Sequence, residues 1–451
     1  MNIGDFDLLE SSAERETLIN TVRSLNDHSS DYPRDCTVHQ VFQQTARRFP
    51  DGVAVVDGGE TWTYQELDAA SNRLARFLIS RGFPTGTVVG FLLDHTYDIC
   101  VTLLGILKAG CAYLPIDDDT PYQRARYILN DTHARALVST RQHLRMLNRL
   151  QWDCPDLDSL LCLDVDDFFA EVEPEGEKMN RDVWDYIGQE MVDDISGGGW
   201  QSSYTGQLLS REVMDEYGEN IHTKLLPLLT PQTRVLEIGC SSGISMFRLA
   251  PHVGYYLGTD LSAKILEKSQ QECIRRGLHN VSLRAVAAHE IEALGEGNFD
   301  IVVVNSVIQC LSGHNYLRKI LRMAIGLMKS QGTLYLGSLF DRDLQDRFLE
   351  SLEEYKRSHR GRNIHTKTDY SEELFINRAF VDDLRFDLPG IVKIEYSEML
   401  GHEASELREY TFDAILHIDK AAAPAPDSPR HKWQFSRRAV AAQAAEPADE
   451  R

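Results

Sequence analysis

The segment VLEIGCSSG, residues 235–243, ends an apolar run at Gly239 and continues through small residues to Gly243. A buried strand that stops at such a turn and leads into a helix leaves backbone bare where a ligand can touch it. Asp260 closes the next apolar run, YYLGTD, at the place where a carboxylate accepts both hydroxyls of a ribose. Together the two signals predict a nucleoside-containing cofactor, held by Gly239, Cys240, Ser241, Gly243, Asp260 and Leu261.

That cofactor is a dinucleotide or S-adenosylmethionine. Dinucleotide sites use a third glycine to pack helix on strand and aim a helix N-terminus at pyrophosphate. The third position here is not glycine, and Glu237 sets an acid beside the turn, which suits a positively charged methionine group better than pyrophosphate. Tyr204 in QSSYTG precedes the first strand and is placed to fold over the cofactor and donate to its carboxylate. His289 and Glu290 follow the third strand, near the expected adenine. Asn305, Ser306 and Gln309 lie at the carboxyl end of the fourth, beside the reacting methyl and its acceptor. His314, in the loop QCLSGHNYL, is the candidate general base for a hydroxyl or thiol acceptor.

Alternating strands and helices must position these groups. RVLEIG, YYLGTD, VSLRAV and FDIVVVN read as buried strands separated by helices, a doubly wound parallel α/β sheet. A helix after Tyr316 sets Leu317, Ile320, Leu321, Ala324, Leu327 and Met328 on one apolar face, GTLYLGS follows as a strand, and IVKIEYSEML with TFDAILHID predicts an antiparallel hairpin at the sheet edge. Upstream, residues 37–140 form a second α/β pattern, with helices at 38–48, 64–81 and 97–109 and strands at 53–56 and 88–92. The acidic stretch from Leu157 to Glu177 reads as a junction, and the Ala/Pro-rich end as linker.

Here the motifs carry a resemblance. VLEIGCSSG, GTDLS and FDIVVVNSVIQCL resemble class I, Rossmann-like seven-stranded S-adenosylmethionine-dependent methyltransferases, and GGWQSSYTG with NSVIQ resembles the subset embedded in nonribosomal peptide synthetases. Ser241 departs from the family's second glycine, which leaves a non-catalytic interaction module as the competing reading. TWTYQEL and LKAGCAYLPIDDDTP resemble the first two core motifs of adenylation domains, the acyl-CoA synthetase-like fold, after FDLLESSAERE, which is similar to the linker behind a condensation domain. The resemblance implies an interrupted adenylation domain: linker over 1–36, its N-terminal part over 37–178, a methyltransferase over 179–420, and linker to the rest over 421–451. Insertion between these core motifs implies methylation of an amino-acid side chain on O or S rather than the backbone nitrogen. The acceptor would be an amino acid, free, adenylated or tethered to a carrier protein, with Glu373 in its pocket and other synthetase domains as partners.

Composition narrows the alternatives. A net charge of −22 opposes binding to nucleic-acid phosphates, and no apolar run reaches the roughly 18 residues of a membrane span. The eight cysteines lack CxxC pairing, so neither zinc nor disulfides are expected, and the acidic N-terminus predicts a cytoplasmic protein. The Ser/Thr/Gly-rich loop that cradles triphosphate does not follow YLPIDDDTP. Residues 1–451 alone are therefore expected to give no amino-acid-dependent exchange of pyrophosphate into ATP, and measurable exchange would overturn that reading.

Overall fold

The computed structural model describes residues 11–26, 32–165, 167–361, 364–370, 372–388, 390–423 and 433–435. Strands β1 (Val53–Asp57) and β2 (Glu60–Thr63) form an antiparallel hairpin. Strands β3 (Val88–Leu92), β4 (Ala112–Ile116), β5 (Ala136–Ser139) and β6 (Ser159–Cys162) pair in parallel. Next come β7 (Arg234–Ile238), β8 (Tyr255–Asp260), β9 (Val281–Ala285), β10 (Phe299–Asn305), β11 (Met328–Phe340), β12 (Ile391–Ser397) and β13 (Thr411–Asp419). These make a seven-stranded sheet in the order β12-β13-β11-β10-β7-β8-β9, parallel except where β13 runs against both neighbours. The expected edge hairpin is there. Strand β14 (Trp433–Phe435) runs parallel to β6, with Trp433 opposite Ser159, so the chain returns to the first sheet beside the strand it left.

Alternation explains why the large sheet buries both faces. Leu236, Leu257, Val302, Val304, Leu334 and Leu336 pack on one side against the helix His314–Leu327. Val235, Tyr256, Ile301, Val303 and Tyr335 pack on the other with Ile221, Leu225 and Cys273 of the helices Arg211–Leu225 and Ala263–Arg275. Side chains of neighbouring strand residues point to opposite faces, so a continuous apolar run feeds two helix layers. The sheet order reverses between β7 and β10, which opens a crevice at their carboxyl ends.

Several expectations shift. The helix after VLEIGCSSG shrinks to Met246–Leu249 because Pro251 cannot continue it. Met328 begins β11 rather than ending the apolar helix. The acidic stretch is no loose junction: it contains β6 and then Glu173, only 2% exposed. Glu173 Oε1 accepts from Asn148 Nδ2 at 2.6 Å and from the Asn315 amide at 3.1 Å, and Oε2 accepts from the Tyr316 amide at 2.9 Å. One carboxylate thus satisfies free N–H groups at the start of the helix His314–Leu327 and ties it to the helix Leu144–Asp153. Residues 1–10 of the leading linker and most of the Ala/Pro-rich tail lie outside the described residues. Among the described residues no helix is long and apolar enough to cross a membrane.

The two sheets are also bolted by ions. Arg342 Nε donates to Asp153 Oδ2 at 2.8 Å, both side chains are 5% exposed, and the Tyr122 hydroxyl donates to the same carboxylate. Trp152 meets Phe380 edge-on at 5.7 Å. Asp153→Ala strands the Arg342 cation in a dry interface and is expected to cost about 3 to 5 kcal/mol. Denaturant unfolding of the full chain checks this, and a loss below about 1 kcal/mol, the level of an exposed pair, would show the bridge to be solvated.

Candidate active site

A cleft of about 1210 Å³ opens at the carboxyl ends of β7, β8 and β10. Its floor is the turn after β7. Gly239 has φ +76°, and an added Cβ would lie 2.3 Å from Val307 Cγ2, so the position tolerates no side chain. Ser241 adopts φ +45°, a left-handed conformation that a non-glycine residue enters at a cost of roughly 1 to 2 kcal/mol. The departure from glycine therefore leaves the turn intact. Gly243, at φ +89°, is not on the cleft wall; a side chain there would strike Phe247 and Met246, so its role is packing.

Asp260 is 8% exposed and faces the cleft. Its Oδ2 accepts from the Ser241 amide and its Oδ1 from the Ser262 amide, both at 2.9 Å. Burial raises its carboxyl against those two hydrogen bonds. Each carboxylate oxygen keeps a further lone pair for a ligand hydroxyl. Glu237 is 2% exposed, and its Oε2 accepts from the Tyr256 hydroxyl at 2.7 Å. Burial pushes its carboxyl up to about 7, partly opposed by hydrogen bonds from Tyr256 and Ser245. A buried acid without a cationic partner suits an incoming cation.

Cys240, Leu261, His289, Glu290, Asn305, Ser306 and Gln309 all line the same cleft. His289 Nδ1 lies 2.8 Å from the Tyr316 hydroxyl, Glu290 Oε2 accepts from the Ala287 amide, and Asn305 Nδ2 donates to Ser245 Oγ at 3.0 Å. Ser306 follows β10 with φ +54°. Gln309 Nε2 donates to the Ser306 carbonyl at 2.8 Å, while its Oε1 is buried with no partner among the described residues. An orphaned acceptor on a cleft wall marks a place for a ligand donor.

Two expected residues fall elsewhere. The Tyr204 hydroxyl is 2.8 Å from Ser351 Oγ and its ring packs against Tyr355 and Phe348; it borders a separate hollow of about 260 Å³. Aromatic packing holds it away from the cleft. His314 is no loop residue: it opens the helix His314–Leu327, is 2% exposed, and meets Phe380 edge-on at 4.7 Å. Burial, reinforced by Arg318, Arg149, Arg145 and Arg342, holds its pKa well below the usual range, so it is a neutral core histidine away from the cleft wall.

The far end of the cleft holds groups that the sequence reading missed. Glu373 does line it, accepting from Lys178 Nζ at 2.6 Å and also from Lys367. Burial, with Lys178 beside it, lowers the Lys367 pKa. Ser203, Tyr370 and Glu406 form one hydrogen-bonded group beside this cluster: the Lys367 amide donates to the Ser203 carbonyl at 2.8 Å, and Lys367 Nζ lies 4.4 Å from the centre of the Tyr370 ring. The segment GGWQSSYTG pointed to this wall through the wrong residue, Tyr204 instead of Ser203. Glu406 and Lys367 come from surface-like sequence with no motif to mark them.

This is the architecture of a nucleotide-type cofactor enzyme joined to a second α/β segment. Residues 42–204 match the family of AMP-binding enzymes, and residues 236–334 match the methyltransferase domain family. The chain therefore combines an AMP-binding segment with a methyltransferase domain. Gramicidin S synthase 1 of Brevibacillus brevis is 37% identical over 130 residues, 29% of this chain and 12% of that protein. Tyrocidine synthase 2 of Brevibacillus parabrevis is 48% identical over 118 residues, 26% of this chain and 3% of that one. The chain thus spans a small fraction of the length of these relatives. A solved magnesium protoporphyrin IX methyltransferase from Synechocystis PCC 6803 with bound SAH aligns at a TM-score of 0.37 and 14% identity, over 52% of this chain and 95% of that one.

Glu237 gives a test of the site's electrostatics. A carboxyl raised from the ordinary value of 4.5 to about 7 holds its proton longer when folded than when unfolded, so stability falls as pH rises between those values and stays lower above them. Glu237→Gln, which keeps an acceptor for Tyr256, is expected to stabilise the ligand-free protein at pH 8 by up to about 3 kcal/mol and to leave it unchanged at pH 4. Denaturation midpoints at the two pH values measure it. Equal effects at both would mean that Glu237 carries no buried charge.

Proposed function

We propose that residues 179–420 are an S-adenosylmethionine-dependent methyltransferase inserted into the adenylation segment 37–178 of a nonribosomal peptide synthetase, and that it methylates a side-chain oxygen or sulfur of an activated or carrier-bound amino acid. The observation that carries the reading is the cleft at the β7/β10 switch point, with Asp260 on one side of the glycine turn and the charge-suppressed Glu237 on the other. The return of β14 to β6 supports insertion, since both ends of an inserted unit must meet the host at neighbouring points.

Bound there, S-adenosylmethionine supplies an electrophilic methyl group on a positively charged sulfur. Asp260 would accept the ribose hydroxyls, and Gly239, Cys240, Ser241 and Leu261 would give backbone and packing contact. His289 and Glu290 would border the base, and Glu237 would face the cationic end. Asn305, Ser306 and Gln309 would stand between donor and acceptor. The Lys178, Glu373 and Lys367 cluster would line the acceptor entrance. In-line transfer gains most of its rate from alignment, which this rigid strand-end frame provides. The remaining part of the adenylation domain and a carrier protein would present the amino acid.

Asp260→Ala is expected to weaken S-adenosylmethionine binding by about 1.5 to 3 kcal/mol, through loss of charge-assisted hydrogen bonds. Titration calorimetry on the folded variant reads it. An unchanged Kd would move the cofactor elsewhere, whereas product fragmentation placing the new methyl on the backbone nitrogen would remove the side-chain assignment alone.

A further inference from the structure

With His314 sealed in the core, the proton released by a hydroxyl or thiol acceptor needs another destination. We propose that Tyr370, Ser203 and Glu406 form a proton relay at the acceptor end of the cleft, in which Tyr370 meets the acceptor and Glu406 receives the proton. This rests on the methyl-transfer reading above.

The geometry is directional. The Tyr370 hydroxyl donates to Ser203 Oγ, and Ser203 Oγ donates to Glu406 Oε1 at 2.7 Å. The Ser203 amide fixes the other carboxylate oxygen, Oε2, at 2.8 Å. All three residues border the cleft, yet Tyr370 is 5%, Ser203 8% and Glu406 7% exposed, so bulk water is kept from most of the chain. Phe340, at the end of β11, packs 6.4 Å from the Tyr370 ring, and the Leu374 amide donates to the Gln309 carbonyl at 3.1 Å. The relay therefore stands over the ends of β10 and β11, across the switch point from Asp260.

The step balances. As the acceptor oxygen or sulfur bonds to the methyl carbon, the bond from that carbon to the sulfonium sulfur breaks and its electron pair stays on sulfur. The acceptor's proton moves to the Tyr370 oxygen, the Tyr370 proton to Ser203 Oγ, and the Ser203 proton to Glu406, which ends neutral. Burial holds the Glu406 carboxyl above the usual carboxylate range, opposed by the Ser203 hydrogen bonds and the nearby Lys367 charge; Tyr204 and Tyr370 also sense its charge. That favours a carboxylate able to take a proton. Lys367 is the rival base, its Nζ 4.4 Å from the centre of the Tyr370 ring and its pKa lowered by burial; its ion pair with Glu373 opposes that loss of a proton, and while protonated it has no lone pair to offer.

The test uses the full chain, with pantetheine thioesters of the proteinogenic amino acids as acceptor probes. In E406Q and Y370F, kcat should fall by ~10²- to 10⁴-fold while the Kd for S-adenosylmethionine stays unchanged. The wild-type rate should drop on the acid side as Glu406 protonates, and that limb should vanish in E406Q. Infrared difference spectra of the protein without acceptor should contain a titrating buried-carboxyl band that is lost in E406Q and shifted in Y370F. Retention of rate and acid limb in E406Q, or spectra in which no band is lost, would overturn the relay and leave Lys367 as the base. Failure of the wild-type chain to bind S-adenosylmethionine would instead overturn the methyl-transfer reading.

Discussion

Asp260 accepts one amide from the turn after β7 and another from the cap of the helix Ala263–Arg275, and the cleft floor depends on that double grip. The Ser241 bond holds a serine in a left-handed turn that glycine would enter freely, and the Ser262 bond fixes where the next helix starts. Hydrogen bonds to a buried carboxylate are among the stronger ones in proteins, at roughly 1.5 to 3 kcal/mol each, enough to cover the cost of one left-handed serine. A single residue thus shapes the turn and offers its remaining lone pairs to the cleft.

The electrostatics of the cleft divide along the same line. On the side of β7 and β8 lie two buried acids, Glu237 and Asp260, each raised by burial and, among the described residues, neither paired with a cation. Across the cleft stand Lys178 and Lys367, sharing Glu373. A cationic ligand is drawn to the first side, whereas on the second Lys178 and Lys367 are balanced by Glu373 and Glu406. The field therefore orients a ligand with one positive end before any shape complementarity acts, and an anionic or neutral acceptor is left the opposite wall.

Local pattern made much of this legible from the sequence. The near-continuous apolar runs in VLEI and FDIVVVN specify strands buried on both faces, and the helix Val38–Arg48 and strand Val88–Leu92 fall where periodicity puts them. Gly239, Asp260 and Gln309 reach the cleft because strand ends and their turns carry side chains to predictable places. Tyr204 and His314 were misplaced for a different reason. Whether a polar side chain faces a cleft or an aromatic cluster depends on Phe348, Tyr355 and Phe380, residues far off in sequence that no local period reveals. Glu406 is the converse: its neighbours ELREY read as a solvated turn, and only the approach of Ser203 from some 200 positions upstream makes it a buried acid.

The acidic stretch between the two halves is an ordered junction, held by distant partners that no local pattern reveals, and this bears on how the halves relate. Flexible linkers leave domains free to reorient, since few contacts cross them. Here Glu173 caps the helix His314–Leu327 while binding Asn148, and Asp153 pairs with Arg342, so two carboxylates of the first half are buried against cations or helix N–H groups of the second. Pulling the halves apart would expose the Trp152 and Phe380 contact and leave the Arg342 cation only the exposed Asp346, 3.8 Å away, in place of Asp153. Such an interface favours one fixed orientation over a hinge, so the cleft keeps a constant bearing to the first sheet. An acceptor would then have to be delivered to the cleft by movement of whatever carries it, because the cleft itself is held in place.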